Sequence, residues 1–356
     1  MMIDRFTLSG KAVPVDAERM LCEICSHFVE HSEVKREGDH VKLESEAGEA
    51  SFRKQNGCLS IDLSCPSAHM LQLVRSSIAE HLFMFAGEEP LELNWADEAP
   101  ATPLPDLSEV RVVAVNQITP HMRRLTVACA DVARFACEHM HVRLLIPVKG
   151  RAPVWPLTMP DGRLGWYRQE DRMAIRIYTI RSVDIERGEM DIDFVLHESD
   201  GKGMPGAEFG RTAQVGDVAG ILGPGGGGVP DATDIILAGD ETALPVISRI
   251  AAEAPADKRM KIILEVDSAD CELPIISAAS IEFQWLHRNG AAPGTSGLLE
   301  PVVKAAILDA TPETHVWLGC EKKEARPVRD FLKKRSHNRQ LMYIVGYWQR
   351  DNDHHH

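Results

Sequence analysis

Arg176-Ile177-Tyr178-Thr179 sets a forked cation, a flat phenol ring and a small hydroxyl within four residues. In a strand, alternate residues share a face, so Arg176 and Tyr178 point one way and Thr179 the other. A guanidinium fork pairs with a phosphate through two parallel hydrogen bonds. A tyrosine ring stacks on another planar ring. A threonine hydroxyl makes one short hydrogen bond to a ring nitrogen. These are the contacts that hold a flavin nucleotide. A strand using arginine and tyrosine for packing and solubility contains the same residues, so their company has to decide.

That company is present. Val195-Leu196-His197 closes another β-rich run. A glycine-marked segment follows, and a helix starting at Gly206-Ala207 would turn free N–H groups toward a pyrophosphate. Further on, Gly239-Asp240-Glu241-Thr242-Ala243-Leu244 follows the apolar run Ile235–Ala238 and precedes a helical pattern. A phosphate-side turn needs that order, strand then turn then helix. Thr242 is placed to cap the helix. The conspicuous tetraglycine, Gly225–Gly228, comes before the strand and fails the same test. It reads as a flexible, open passage between two halves.

The elements that must position these residues fall into three groups. Residues 14–95 read as helix, about three strands, helix, hence a small α+β domain. Residues 88–107 are acidic and proline-rich and read as a linker. Residues 108–230 hold short β-rich runs separated by turn residues, which predicts an antiparallel barrel. Residues 231–350 alternate strands and helices, which predicts a doubly wound parallel sheet. The fold class is therefore a multi-domain combination of α/β and β parts.

Composition narrows the function. The chain has 356 residues, 44% hydrophobic and 26% charged, enough for two or three cores. A net charge of −14 argues against a general nucleic-acid binder. No apolar signal segment opens the chain, and no run approaches the ~20 residues of a membrane span. The expected location is cytoplasmic. Eight dispersed cysteines do not suggest a disulfide scaffold. Cys22-x-x-Cys25 lacks the second ligand pair of a zinc module and reads as two thiols on a helix. His354–His356 read as a purification tail. No metal site is expected.

Taken together, the motifs resemble the siderophore-interacting protein family of flavin-dependent ferric-siderophore reductases, in the ferredoxin–NADP reductase superfamily. The resemblance spans about residues 108–350. It rests on Arg176–Arg181, Val195–His197, Val215-Gly216-Asp217, Gly223-Pro224, Leu237–Pro245, Trp285–Arg288, Trp317–Glu321 with Arg326 and Arg329, and Gly346-Tyr347-Trp348. Residues 14–95 resemble a small domain of unassigned function.

The resemblance implies FAD in the barrel, NADH or NADPH on the α/β domain, and reduction of an Fe(III)–siderophore to release Fe(II). It implies that Arg176 meets the pyrophosphate, Tyr178 stacks on the isoalloxazine, and Thr179 sits near its reactive nitrogen. Val195–His197 would line the FAD, and Gly239–Leu244 the nicotinamide nucleotide. Anionic siderophores would favour a basic mouth, with Arg181, Arg288, Lys322, Lys323 and Arg326 as candidates. Asp267 and Asp270 would favour a ribose 2′-hydroxyl, and Arg288 a 2′-phosphate. The chain departs from the family where it has Met204-Pro205-Gly206-Ala207-Glu208-Phe209, without the serine and large aromatic of its relatives. It also has Cys320-Glu321 where relatives have Gly-Glu, and Cys320 reads as a buried structural thiol. The competing readings are a non-catalytic siderophore- or iron-binding protein and an NAD(P)H:flavin reductase.

Overall fold

The computed structural model describes residues 5–28, 32–45, 47–97, 104, 106–196 and 204–350. They divide into two compact units, Met1–Pro105 with Gly150–Arg172, and Asp106–Lys149 with Met173–His356.

The first unit begins β1 (Phe6–Val13), α1 (Ala17–Phe28), β2 (Glu33–Glu37), β3 (His40–Ser45), β4 (Gly48–Gln55), β5 (Cys58–Cys65), α2 (Ala68–Ala86) and β6 (Glu92–Trp95). The strands form one antiparallel sheet, ordered β2-β3-β4-β5-β1-β6. Strict alternation in β5 sends Leu59, Ile61, Leu63 and Cys65 inward. Met20, Leu21, Ile24 and Phe28 line one face of α1 and join the same core. Asn56 and Gly57 both take positive φ, which lets a two-residue turn join β4 to β5 in register. Three elements differ from the sequence expectation. A strand precedes α1, β2 makes four strands rather than about three between the helices, and the linker stretch contains β6, because Leu93 and Trp95 alternate inward beside β1.

The second unit opens with β7 (Leu107–Thr119), β8 (Met122–Cys129) and β9 (His141–Ile146). The chain then leaves the barrel. β10 (Leu157–Thr158) and β11 (Leu164–Gly165) pair with each other, and the whole segment Gly150–Arg172 groups with the first unit. Buried polar contacts hold it there. Arg75, 1% exposed, donates to the carbonyls of Asp97 and Pro160. Trp95 Nε1 donates to Asp161 O, and the Arg163 guanidinium lies 3.5 Å over the Phe83 ring. The span 108–230 is thus interrupted by a segment that packs elsewhere.

The barrel resumes with β12 (Ala174–Asp184), β13 (Glu189–Val195), α3 (Pro205–Thr212) and β14 (Val218–Gly225). It closes in the order β12-β13-β8-β7-β14-β9, with Leu125, Leu144, Ile180, Ile192, Phe194 and Ile221 in its core. The rest is β15 (Asp234–Gly239), α4 (Leu244–Glu253), β16 (Arg259–Val266), β17 (Ser280–His287), α5 (Leu299–Asp309), β18 (His315–Glu321), α6 (Lys322–Lys334) and β19 (Met342–Trp348). All five strands are parallel, ordered β17-β16-β15-β18-β19. Near-continuous apolar strands fit a sheet covered on both faces. One core contains α4, the other α5 and α6. The antiparallel barrel and doubly wound sheet expected from the sequence are both present. No described helix is long and apolar enough to cross a membrane.

Within this unit, barrel and sheet are packed together. Met122 and Met140 of the barrel side enter the core under α4. Arg249 of α4 is buried and donates to Ile180 O at 3.1 Å and Cys137 O at 2.8 Å. The tetraglycine lies in the same region and is not an open passage. Gly226 has φ +80°, and a Cβ there would stand 2.6 Å from His141 Nδ1. A Cβ on Gly228 would stand 2.6 Å from Glu138 O. Gly225 belongs to β14, and only at Gly225 and Gly227 is the surrounding space open. Close neighbours therefore account for glycine at Gly226 and Gly228.

Candidate functional site

β12 presents the forked cation and the ring in the expected alternation. Ile177 is 71% exposed, Arg176 and Tyr178 are half-buried, and Thr179 is buried. The Arg176 Nη1 donates to Ile175 O at 2.7 Å. Tyr178 packs on Phe194, ring centroids 4.3 Å apart. Burial pushes its phenol well above the usual range, so it stays neutral.

α3 meets this tyrosine at its first turn. Gly206 lies so close that a Cβ would stand 2.3 Å from Tyr178 Oη. Gly206 and Ala207 are both buried. Pro205 stands at the start of the helix, and Met204, the N-cap, gives no side-chain cap. The start of α3 thus has no side-chain cap and lies against the Tyr178 ring, and uncapped helix-start N–H groups are donors that suit a phosphate. Phe209 turns into the barrel core, 6.0 Å from Phe194. Val195 packs against the sheet-side core, and Leu196 N donates to His121 O at 2.8 Å. His197 lies outside the described residues.

The turn Gly239–Leu244 leads from β15 into α4. A Cβ on Gly239 would stand 2.3 Å from Gly319 O, so the adjoining strand ends touch only because Gly239 carries no side chain. Asp240 Oδ1 accepts from Thr242 N at 2.8 Å and Thr242 Oγ1 at 2.5 Å. Thr242 is therefore spent on Asp240 and does not cap α4, whose N-cap Ala243 has no side-chain cap. Asp240 Oδ2 accepts from Trp348 Nε1 at 2.7 Å.

Beneath the turn is a buried charge network that includes Arg288. Its guanidinium grips Glu241 bidentately, at 2.7 and 2.6 Å, with both side chains under 5% exposed. It is not a cation at a substrate mouth. Glu265 Oε1 lies 3.8 Å from Arg288 Nη1 with no hydrogen-bond partner, while Ser296 donates to its other oxygen at 2.6 Å. Glu321 caps α6 by accepting from Lys323 N and Glu324 N. Both Glu324 oxygens are buried without a partner among the described residues. Burial, then repulsion from Glu265, Asp240 and Glu321, pushes Glu324 up to about 7. Burial, then the charge of Glu241, pushes Asp240 up to about 6. Cys320 is fully buried among these acids, and its thiol is pushed far above the thiolate range.

The five candidate cations do not converge on one mouth. Arg181 is half-buried on β12 and Arg288 is enclosed. Lys322 lies 3.4 Å from Gln349 Oε1 after β19. Lys323 and Arg326 open on a cleft of about 510 Å³ between α5 and α6, shared with Lys304, Phe331 and Lys334. The sequence reading missed Arg249, Glu265 and the Trp348 contact. Only Glu265 left a sign, a lone acid inside the apolar run Ile262–Val266.

Comparison with known proteins agrees with this geometry. Residues 111–228 match the siderophore-interacting FAD-binding domain, and residues 232–351 the siderophore-interacting protein domain. Residues 12–96 match a domain described as an uncharacterized protein conserved in bacteria, DUF2218. A siderophore utilization protein from T. fusca is 34% identical, with TM-score 0.59, over 72% of this chain and 95% of that one. The chain belongs to the siderophore-interacting protein family. SipS from Aeromonas hydrophila, a siderophore-interacting protein, is 26% identical with TM-score 0.57, over 70% of this chain and 94% of that one. Ferric vibriobactin reductase ViuB of Vibrio cholerae is 28% identical over 249 residues, 67% of this chain and 88% of its own length. The barrel is thus an FAD-binding domain of this family.

Proposed function

We propose that the protein is a FAD-dependent NAD(P)H:ferric-siderophore oxidoreductase that releases Fe(II) in the cytoplasm. The observation that carries this reading is the meeting of β12 with the first turn of α3, where Gly206 comes against Tyr178 beside Arg176. It is supported by relatives named ferric vibriobactin reductase and ferric acinetobactin reductase.

Bound FAD supplies the conversion of a two-electron donor into one-electron steps at iron. The protein's own residues bind and orient. Arg176 and the N–H groups of Gly206 and Ala207 hold the pyrophosphate. Tyr178, kept neutral by burial, gives a fixed ring, and Thr179 a hydroxyl on the opposite face of the strand. Val195, Leu196 and His197 line the same cofactor. The backbone of Gly239–Leu244 receives the nicotinamide nucleotide, shaped from below by the Asp240–Trp348 and Glu241–Arg288 contacts. Arg181, Lys322, Lys323 and Arg326 draw an anionic ferric siderophore by long-range attraction rather than by a shared pocket. The iron needs no protein ligand, because its chelator already supplies them. Fe(II) is held less tightly by hard oxygen donors, so reduction frees it.

The test is anaerobic. NADH or NADPH is expected to bleach the flavin absorbance of the purified protein, and a ferric siderophore is expected to restore it. A colourless protein that FAD cannot reconstitute would leave a non-catalytic binder. Bleaching accompanied by release of free flavin would point to a flavin reductase.

A further inference from the structure

His121, Asp267 and Cys271 come from three places in the second unit. His121 sits in the turn between β7 and β8, Asp267 directly follows β16, and Cys271 ends a short 3₁₀ turn at Ala269–Cys271. One ligand atom from each lies within 4.8 Å of the other two. The sequence singled out none of them as a metal ligand, and the cofactor chemistry uses none of them as one.

Several details show a site built around these atoms. His121 Nε2 and Asp267 Oδ2 are 3.6 Å apart, beyond a normal hydrogen bond. Two ligands at zinc-like bond lengths of ~2.0–2.2 Å in tetrahedral geometry stand ~3.4 Å apart, so the spacing suits an ion between them. Asp267 Oδ1 accepts from Gly290 N at 3.1 Å, which orients the carboxylate and leaves Oδ2 toward His121. His121 is pinned by its own backbone: its N–H donates to Thr119 Oγ1, and its carbonyl accepts from Leu196 N. Cys271 is 1% exposed, whereas the His121 side chain is 41% exposed, so the thiol forms the floor and the imidazole the open side. Glu272, the next residue, is committed to His287 at 2.8 Å and does not complete the set.

We propose that His121, Asp267 and Cys271 form a three-ligand site for a divalent transition-metal ion of the zinc type, with the fourth position open to water. An imidazole, a carboxylate and a thiolate are the mixed donor set that borderline ions prefer, and calcium or magnesium would reject the sulfur. The ion would tie the β7–β8 turn of the barrel to the carboxyl end of β16 in the sheet. Binding displaces the Cys271 proton to solvent.

The experiment titrates the full-length protein with Zn²⁺ against a competing chelator and counts tightly bound equivalents. Cys22, Cys25 and His354–His356 are possible background ligands, so the reading is a difference between variants. His121→Ala and Cys271→Ser are each expected to lose one equivalent, or to bind it far more than the ~10–100-fold weaker typical of losing only an outer-shell partner. Cys22→Ser is expected to keep it. Zinc-edge absorption of the parent is expected to show one sulfur neighbour. Zinc is also expected to raise the Tm of the parent and not of His121→Ala. Should Cys271→Ser fail to fold, the half-exposed His121 variant carries the test alone. Equal stoichiometry and affinity in the parent and His121→Ala would overturn the proposal, as would a zinc neighbour shell without sulfur.

Discussion

Gly206 is where one atom has the largest effect. A methyl group there would stand 2.3 Å from Tyr178 Oη, so Gly206→Ala must push the ring or the helix start aside. Either movement spoils the stacking surface or the pyrophosphate donors. Gly206→Ala is expected to weaken FAD retention at least tenfold, about 1.4 kcal/mol, by equilibrium dialysis, while far-ultraviolet circular dichroism stays unchanged. Arg288 gives a stability counterpart. Arg288→Met would leave Glu241 and Glu265 buried without their cation. Breaking such a pair costs about 3–5 kcal/mol, expected as a lower denaturation midpoint in urea. Glu324 has the opposite sign. Its carboxyl is raised from 4.5 to about 7, so the folded state holds the proton more tightly than the unfolded chain. Stability therefore falls as pH climbs from 4.5 toward 7, and the loss is constant above that. Glu324→Gln is expected to raise Tm at pH 8 on the order of 2 °C and to change it little at pH 4, by scanning calorimetry.

At the scale of elements, the glycine run is more tightly packed than its sequence suggests. Gly226 and Gly228 pass close over His141 and Glu138, whereas Gly227 faces open space. His141 is buried, its imidazole pushed down to about 4 first by burial and then by Arg249, and its Nε2 lies 3.2 Å from Tyr347 Oη. Gly226→Ala is strained by its φ of +80° and by contact with this ring. It is expected to lower Tm by several degrees, and Gly227→Ala to leave it within about 1 °C, by thermal denaturation. The strands and helices were legible because their periodicity is strong: β5, β15 and α1 announce their buried faces. The RIYT strand and the GDETALP turn were legible as motifs. Contacts made across long sequence separations were not, because no local pattern links Arg288 to Glu241 or Arg249 to Ile180 and Cys137. For the same reason Arg288 looked available to a substrate, and Thr242 looked like a cap. The excursion Gly150–Arg172 is similar, since only folded packing places Pro160 and Asp161 against Arg75 and Trp95.

At the scale of the molecule, the family models match the barrel and the sheet, residues 111–228 and 232–351. Residues 12–96 add a separate antiparallel sheet with its own core. The proposed redox function therefore rests on the second unit, which holds β12, the start of α3 and the turn into α4. Its most direct check is electron stoichiometry. With FAD bound, under strict anaerobiosis, limiting NADH or NADPH is added to excess ferric siderophore, and Fe(II) is trapped by a chromogenic chelator. A hydride carries two electrons and each ferric ion accepts one, so the expected yield is two Fe(II) per nucleotide oxidised. Nucleotide oxidation without Fe(II), or no oxidation with any ferric siderophore supplied, would contradict the proposed activity.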